Sequence, residues 1–218
     1  MGEYGIVWFL SKPNLLEDWA IQKIEHLPEF RRSKALRYRF SKDKTQSVVT
    51  FCLLCSMLEF IPNDFIYNKN EKPYLMQGTP FFNITHSEEC IAVALSNFEV
   101  GIDSETVRKQ PQEIMPNVFT KKEISMIENS KNPDKTFFKV WTLKESYIKA
   151  LGTGFYFPLK KVEFIIKDES ILCSDLSFKF STFSAGNSQI SVCGSENFSF
   201  KKIRPDELKC KWEELQNV

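Results

Sequence analysis

One segment of the sequence carries helix signals at both of its ends, and it constrains the fold more than any other. Asn132 is a favoured N-cap, and Pro133 suits the first helical position, where a missing N–H is harmless. Gly152 marks the end of the helix, because glycine readily adopts the left-handed conformation of a C-cap. Most of the helix is apolar, yet it carries Glu145 and Lys149, and charges on a largely buried helix need partners. The fold must therefore pack this helix on most of its faces and bring charged groups to it.

The rest of the chain combines further helices with short strand signals. Helical spacing of apolar residues covers residues 15–27, 45–60 and 119–129, the last with a capping box of Thr120 and Glu123. Strand signals lie at residues 4–10, 81–85, 91–95, 99–102, 162–167, 176–183, 189–193 and 198–203. The three signals between residues 81 and 102 are separated by short loops, which favours a meander. The sequence therefore predicts an α+β protein with antiparallel sheets, built as one large domain or as two lobes.

The composition excludes several classes of protein and of partner. Lysine and arginine number 29 and aspartate and glutamate 28, so the net charge of +1 gives no bulk attraction to nucleic acid. The longest apolar run, residues 48–58, is too short to cross a bilayer, and the sequence shows no signal peptide. The six cysteines then favour free thiols in a reducing compartment. We expect a cytoplasmic protein with neither nucleic acid nor membrane as a partner.

Carboxylates rather than histidines must form any metal site in this chain. Its histidines are His26 and His86 alone, which excludes multi-histidine zinc or iron sites. Asp103 and Glu105 lie at the end of a strand signal, and alternation along a strand places both on one face, where they repel each other unless a cation lies between them. Oxygen ligands favour a hard cation such as magnesium. The alternative is a solvent-facing acidic strand end.

Three other segments combine side chains that suit phosphate chemistry. Trp141, Glu145 and Lys149 are spaced four residues apart and lie on one stripe of a helix. The alternative is that Glu145 and Lys149 form a surface salt bridge, which stabilises by only about 0.3–0.5 kcal/mol. That alternative would suit a helix that is more polar than this one. Residues 85–87 place hydroxyl, imidazole and hydroxyl groups at a strand end, as anion contacts or as a turn that satisfies its own backbone. Residues 31–44 contain seven basic residues and one acid, which indicates a solvated helix face, a phosphate-binding surface or a dock for an acidic protein.

Together these segments resemble the 4′-phosphopantetheinyl transferases of the longer, surfactin-synthetase-activating (Sfp) type. The family's F-N-x-S-H-S motif corresponds to residues 82–87, its G-x-D-x-E to 101–105 and its W-x-x-K-E-S-x-x-K-x-x-G to 141–152. Residues 71–73 resemble its G-K-P element, and the strong match covers roughly residues 72–158. The departures are Thr85 for the usual serine, Ser104 for an apolar residue, and Gln46-Ser47 for an arginine followed by a small hydroxyl residue.

The resemblance implies a fold and a reaction. Coenzyme A would donate its phosphopantetheine arm to a serine of an acyl or peptidyl carrier protein and release 3′,5′-ADP, as in a holo-[acyl-carrier-protein] synthase. The fold would consist of two pseudo-symmetric α+β lobes in a monomer, with coenzyme A in the cleft between them. We expect an N-terminal lobe at residues 1–98 and a C-terminal lobe at residues 99–218 that carries the metal and catalytic motifs.

The same resemblance implies a role for each site residue. Asp103, Glu105 and Glu145 would bind one magnesium ion, with manganese as the alternative, on the pyrophosphate oxygens. Glu145 is also the candidate base for the serine proton, and Lys149 would stabilise or protonate the departing phosphate. Lys144 would contact the pyrophosphate. The residues expected to hold the nucleotide end of coenzyme A, with its 3′-phosphate, are Arg31, Lys34, Lys72, Thr85 and His86.

Two other functions use many of the same residues. One is a catalytically weak relative that binds carrier proteins or nucleotides, against which the complete acid set and both lysines argue. The other is a different magnesium-dependent phosphotransferase or hydrolase, which would not need residues 85–86 together with the W-x-x-K-E-S element. The sequence leaves the carrier open among fatty-acid, polyketide, peptide-siderophore and lysine pathways.

Overall fold

The structure is a computed structural model that describes residues 5–167 and 170–217. That part contains α-helices, β-strands and short 3-10 turns, which confirms the predicted α+β class. The helices are Glu17–Lys23 (α1), Glu29–Arg37 (α2), Ser41–Leu58 (α3), Met115–Val118 (α4), Lys121–Glu128 (α5), Pro133–Leu151 (α6) and Pro205–Gln216 (α7). The strands are Gly5–Ser11 (β1), Phe65–Tyr67 (β2), Pro73–Leu75 (β3), Phe81–His86 (β4), Cys90–Ser96 (β5), Val100–Thr106 (β6), Phe164–Lys167 (β7), Ser170–Cys173 (β8), Lys179–Ala185 (β9), Ser188–Gly194 (β10) and Phe198–Lys202 (β11). Within the described residues, no helix is both long and apolar enough to cross a membrane.

The strands form two main sheets and two hairpins. The first sheet has the order β11-β1-β5-β4 and is antiparallel except for the parallel pair of β1 and β11. The second sheet has the antiparallel order β6-β10-β9, and the hairpins are β2-β3 and β7-β8. The predicted meander is therefore wrong at its third strand, because β6 pairs with β10 instead of continuing the first sheet. Where β4 meets β6, the side chain of Asn83 accepts the backbone N–H of Ile102 at 2.9 Å, across a gap that no strand ladder closes.

The buried apolar residues form three clusters. One cluster lies between the first sheet and helices α1, α2, α3 and α7, and another joins α6 to α4, α5 and β7. A third cluster, which contains Val7 and Ile102, lies between the two sheets. Strand β11 and helix α7 thus pack on the first half of the chain, although they come last in the sequence. The division into lobes at residues 98 and 99 stays a prediction.

The two predicted capping signals have the expected geometry. In α5, Thr120 and Glu123 form the complete capping box. In α6, the Asn132 side chain accepts the N–H of Lys135 at 3.0 Å, and Gly152 ends the helix with a φ of 63°. The predicted helix at residues 45–60 begins earlier, at Ser41, and ends at Leu58.

Several elements differ from the sequence-based expectations. The predicted helix at residues 15–27 is one α-helical segment, α1, flanked by two 3-10 turns. Strands β2 and β8 and helix α7 were not predicted. The two strands have only three and four residues, too few for a periodic pattern, whereas α7 carries a signal in Pro205 at its first position, followed by Asp206 and Glu207. Of the first predicted strand, Tyr4 lies outside the described residues.

Gly101 lets strand β6 lie directly against helix α6. A Cβ atom at this position would overlap the carbonyl oxygen of Ser146 and the backbone nitrogen of Ala150. Gly101, Asp103 and Glu105 alternate along β6, so this face of the strand is turned to the helix. The close approach of backbone to backbone therefore places the acidic residues of β6 beside the charged residues of α6.

We expect Gly101→Ala to lower the free energy of unfolding by about 3 kcal/mol, because the methyl group must push β6 away from α6. The measurement is urea-induced unfolding of the two proteins. Gly154→Ala is the matched control: its added Cβ would lie 3.6 Å from the nearest side-chain atom, so only its positive φ costs about 1 kcal/mol. Equal losses in the two variants would contradict this account of the contact.

Candidate active site

A cleft of about 280 Å³ lies between helix α2, the β2-β3 hairpin, strand β4 and helix α6. Its wall combines apolar side chains such as Phe65 and Ile148 with charged ones. Five of the ten residues predicted for the site line it, and they come from three separate stretches of the chain. These five are Arg31, Lys34, Lys72, Glu145 and Lys149.

At the floor of the cleft, Lys149 joins α6 to β6. Its ammonium donates to Asp103 Oδ1 at 2.7 Å and to the carbonyl of Ile102 at 3.1 Å. The second carboxylate oxygen of Asp103 and one oxygen of Glu145, Oε1, are buried and have no hydrogen-bond partner among residues 5–167 and 170–217. Buried carboxylate oxygens without a partner are costly, and a cation or a proton satisfies them.

The environment of Glu145 favours its protonated form. Burial, and after it the negative charge of Asp103, raise the pKa of its carboxyl group from the ordinary 4.5 to about 7. Lys149 lowers this pKa, while Glu105 adds a smaller increase. A carboxyl group with a pKa near neutrality can accept or release a proton at physiological pH.

Glu105 is turned towards a different partner. Its Oε2 accepts from Arg108 Nη1 at 3.1 Å, and its side chain is 31% exposed. Burial raises the pKa of Glu105, and the charge of Asp103 adds to that increase. Among residues 5–167 and 170–217, no group of three histidine, cysteine, aspartate or glutamate side chains is arranged to hold a metal ion as it stands. Asp103 and Glu145 therefore offer the oxygens without partners, whereas Glu105 would first have to leave Arg108.

Arg31 and Lys34 bring positive charge to the opposite wall. The guanidinium of buried Arg31 donates from Nη2 to the carbonyl and the hydroxyl of Ser47, at 3.0 and 3.2 Å, while its Nε has no partner. Burial lowers the pKa of Lys34, and the charge of Arg31 lowers it further. Within the part of the chain that the structure describes, neither residue forms an ion pair, so an anionic ligand would complement this wall.

Thr85 and His86 lie next to this cleft at the end of β4 and are not part of its lining. Thr85 is buried, whereas His86 is exposed on one side. Desolvation lowers the pKa of His86, and the charge of Lys149 lowers it further. The predicted contact of His86 with an anion stays a prediction.

Two of the departures from the family pattern, Ser104 and Gln46, bind the same residue, Ser87. The hydroxyl of Ser104 donates to that of Ser87 at 3.0 Å, and Ser87 and Ser188 share a further hydrogen bond of 3.0 Å. The amide of Gln46 donates to the Ser87 carbonyl at 2.9 Å. Ser104 points away from Asp103 along the strand, so it ties β6 to the turn after His86 and is no ligand of the acidic face.

The ammonium of Lys144 does not reach the cleft, and its predicted contact with a pyrophosphate does not fit this structure. The side chains of Lys144 and Glu123 are both completely buried, and their ion pair is 2.9 Å long. Lys144 also donates to the carbonyls of Leu159 and Val162, at 2.9 and 2.5 Å. Glu123 in turn accepts the N–H of Phe164 at 2.8 Å. A motif residue therefore anchors α6 to α5 and β7 from the side away from the cleft.

Lys72 lines the cleft with its aliphatic stem alone. Its ammonium donates to Glu99 at 2.5 Å, to the carbonyl of Val100 at 3.1 Å and to that of Ala150 at 3.0 Å. Three acceptors complete the donor capacity of an ammonium group. The predicted contact of Lys72 with coenzyme A thus does not fit this arrangement. Glu99 accepts from Lys72 where a phosphate of coenzyme A was expected to do so. It lies outside the family motifs, so its role was not predicted.

The family model and the sequence relatives agree on one family. The model of the family described as "4′-phosphopantetheinyl transferase superfamily" matches residues 99–202. The 4′-phosphopantetheinyl transferase gsp of Aneurinibacillus migulanus is 31% identical over 164 residues, which cover 69% of this chain and 67% of that protein. A putative 4′-phosphopantetheinyl transferase of Synechocystis sp. is 29% identical, with 62% of this chain and 59% of that protein covered. The 4′-phosphopantetheinyl transferase Sfp of Bacillus subtilis (strain 168) is 28% identical, with 72% of each chain covered. The crystal structure of Thermotoga maritima holo-[acyl-carrier-protein] synthase aligns with a TM-score of 0.40 and 22% identity, over 45% of this chain and 63% of that one.

The family model and the relative that is 31% identical define a transferase of the phosphopantetheinyl class. The chain belongs to the 4′-phosphopantetheinyl transferase superfamily. Proteins of this class transfer the phosphopantetheine arm of coenzyme A to a serine of a carrier protein. The predicted family, enzyme class and group transfer are confirmed, whereas the dependence on magnesium stays a prediction.

The buried pair of Lys144 and Glu123 generates a prediction for stability. We expect Lys144→Met to lower the free energy of unfolding by about 3–5 kcal/mol, because it leaves the Glu123 carboxylate buried without a counter-charge. The double variant with Glu123→Gln should recover part of this loss, since the glutamine carbonyl still accepts from Phe164. Urea unfolding measures all three proteins. Lys122→Met is the control, because Lys122 is 75% exposed and its ion pair with Glu163 stabilises little; an equally small loss in Lys144→Met would contradict the structural role.

The raised pKa of Glu145 predicts a pH-dependent stability in metal-free protein. Between the ordinary pKa of 4.5 and the folded-state value of about 7, the folded protein binds more protons than the unfolded chain. The contribution of Glu145 to stability is therefore present below pH 4.5 and is lost as the pH rises to about 7. With a chelator present, the stability of wild type relative to Glu145→Gln should fall by on the order of 1 kcal/mol per pH unit in this window. Urea unfolding at several pH values gives the difference, and a flat difference would refute the raised pKa.

Proposed function

We propose that this chain transfers the phosphopantetheine arm of coenzyme A to a serine of an acyl or peptidyl carrier protein at the cleft between α2 and α6. The observation that carries the proposal is that carboxylate oxygens without hydrogen-bond partners and cationic side chains without ion pairs occur together at this cleft. Glu145 of the cleft lining and Asp103, which Lys149 of the lining contacts, each have a buried oxygen without a partner in the described part of the chain. Arg31 and Lys34 of the lining form no ion pair there. A ligand that brings phosphates together with a divalent cation satisfies both at once.

The donor set at the floor fits magnesium. Asp103 and Glu145 contribute the oxygens that lack partners, and Glu105 completes the set after its release from Arg108. All three are hard oxygen ligands, which magnesium and manganese both accept. When bound, the cation would neutralise charge on the pyrophosphate oxygens and so favour departure of the nucleotide.

Glu145 is the base in this proposal. Glu145 lines the cleft, and its buried Oε1 has no hydrogen-bond partner among the described residues. A pKa of about 7 lets its carboxylate take the proton of the carrier serine, directly or through one water. Lys149 already donates to Asp103, which holds its ammonium at the floor of the cleft. From there it can stabilise or protonate the phosphate that leaves.

Arg31 and Lys34 bind the nucleotide end of coenzyme A in this proposal. The unpartnered Nε of Arg31 and the ammonium of Lys34 are available to its phosphates, and His86 contributes from the end of β4. The monomeric state expected of this enzyme rests on the family resemblance. All six cysteines are free thiols, which supports a cytoplasmic location because such compartments keep thiols reduced.

A transfer assay tests the proposal. Incubation with coenzyme A, magnesium and a panel of apo carrier proteins should add the mass of one phosphopantetheine group to the carrier serine. A reference transferase establishes that each carrier accepts the group. No mass gain with any carrier that the reference enzyme modifies would overturn the proposal and favour a binding protein.

Three variants test the roles of individual residues. We expect Asp103→Asn and Glu145→Gln to lower kcat/KM at least about 100-fold while the fold survives, since each removes one charge at the floor. Lys149→Ala should lower kcat far more than it raises the KM for coenzyme A. Glu128→Gln, an equivalent change on the exposed face of α5, is the control. Near-normal activity of either acid variant would refute the metal assignment, and an equal effect of Lys149→Ala on kcat and KM would make Lys149 a binding residue only.

A further inference from the structure

The end of helix α6 is capped by side chains that come from the β2-β3 hairpin. The last carbonyl groups of a helix have no partners within it and need donors from elsewhere. Lys72 donates to the carbonyl of Ala150 at 3.0 Å, and the side-chain amides of Asn68 and Asn70 donate to that of Gly152 at 3.0 and 2.7 Å. A segment that lies about 80 residues earlier in the sequence thus supplies the cap.

Asn68 shapes the hairpin turn as well as reaching the helix. Its Oδ1 accepts the N–H groups of Asn70 and Lys72, at 2.9 and 3.0 Å, while its Nδ2 donates to Gly152. The turn is closed by backbone bonds from Asn68 to Lys72 and from Glu71 to Asn68, at 3.1 and 3.0 Å. The two ends of one amide therefore couple the conformation of the turn to the position of the helix.

Lys72 extends the same contact to strand β6. Besides Ala150 it binds Glu99 at 2.5 Å and the carbonyl of Val100 at 3.1 Å, and the hydroxyl of Tyr74 donates to the other oxygen of Glu99 at 3.1 Å. The Lys72 side chain is only 6% exposed, so its bonds to the two carbonyls are shielded from water, whereas the Glu99 side chain is 43% exposed. The hairpin is in this way fastened to both elements that carry the charged floor of the cleft.

The contact between the β2-β3 hairpin and the end of α6 requires glycine at position 152. A Cβ atom there would lie 2.8 Å from Asn68 Nδ2 and 3.3 Å from the stem of Lys72, and the φ of 63° disfavours other residues. The glycine therefore serves as a C-cap and also as the surface on which the hairpin rests.

We infer that Asn68, Lys72 and Glu99 are positioning residues that clamp the cleft wall to the end of α6 and to the start of β6. Through this clamp they set where Glu145 and Lys149 on α6 lie relative to Asp103 on β6. Lys72 acts through its three protein acceptors and does not bind a phosphate of the substrate. The effect on turnover rests on the proposed function, whereas the clamp itself is a property of the protein without substrate.

Hydrogen exchange tests the clamp without reference to activity. In Lys72→Met and in Asn68→Asp, which keeps the acceptor for the turn but removes the donor to Gly152, backbone amides of residues 146–153 should exchange about 10-fold faster than in wild type. Lys69→Met is the matched control, because Lys69 is an exposed lysine of the same turn. Unchanged exchange in both Lys72→Met and Asn68→Asp would overturn the inference.

Kinetics separate a positioning lysine from a phosphate ligand. We expect Lys72→Met and Glu99→Gln each to lower kcat about 10-fold, and the double variant to be no worse than the more impaired single variant, since both break the same contact. The preference for coenzyme A over 3′-dephospho-coenzyme A should stay as in wild type. A Lys72→Met enzyme that loses this preference while Glu99→Gln is normal would overturn the inference. If the wild type transfers nothing, the proposed function fails, and the exchange result still decides the clamp.

Discussion

The contact between strand β6 and helix α6 is the constraint on which the rest of the site depends. Because Gly101 has no side chain, the two backbones meet, and the bond from Lys149 to Asp103 forms at 2.7 Å. The same contact removes Glu145 from water beside Asp103, which raises the pKa of Glu145. Packing and electrostatics are therefore coupled here, because the distance between the backbones of β6 and α6 affects the protonation state of Glu145.

The two motif lysines of α6 show how one helix serves two neighbourhoods. Lys144 and Lys149 are five residues apart, so they project from different sides of the helix. One is completely buried with Glu123 on the side of α5 and β7, and the other meets Asp103 at the cleft. The motif thus contains Lys149, which lies at the cleft, and Lys144, which anchors the helix on another side. Their spacing of five residues follows from helix geometry.

Local signals predicted the parts of the structure that short-range physics controls. The caps of α5 and α6 and the alternation of β6 could be read from neighbouring residues, and the approach of Asp103 to Glu145 followed from the family resemblance. The partner of β6, the destination of β11 and the acceptors of Lys72 depend on contacts between residues far apart in the chain. No local pattern encodes such contacts, and for that reason the roles of Lys72 and Lys144 differ from those that the motif positions implied.

The parallel pairing of β1 with β11 gives the chain a particular order of assembly. One edge of β1 has no partner until the last strand of the described chain is available, and Trp212 of α7 completes the first apolar cluster. During synthesis on the ribosome, the first half therefore waits with an open sheet edge while the segment that carries β6 and α6 emerges. The first sheet gains its fourth strand only after residues 198–202 have been synthesised, and until then the open edge of β1 is exposed to misassociation or to capture by a chaperone.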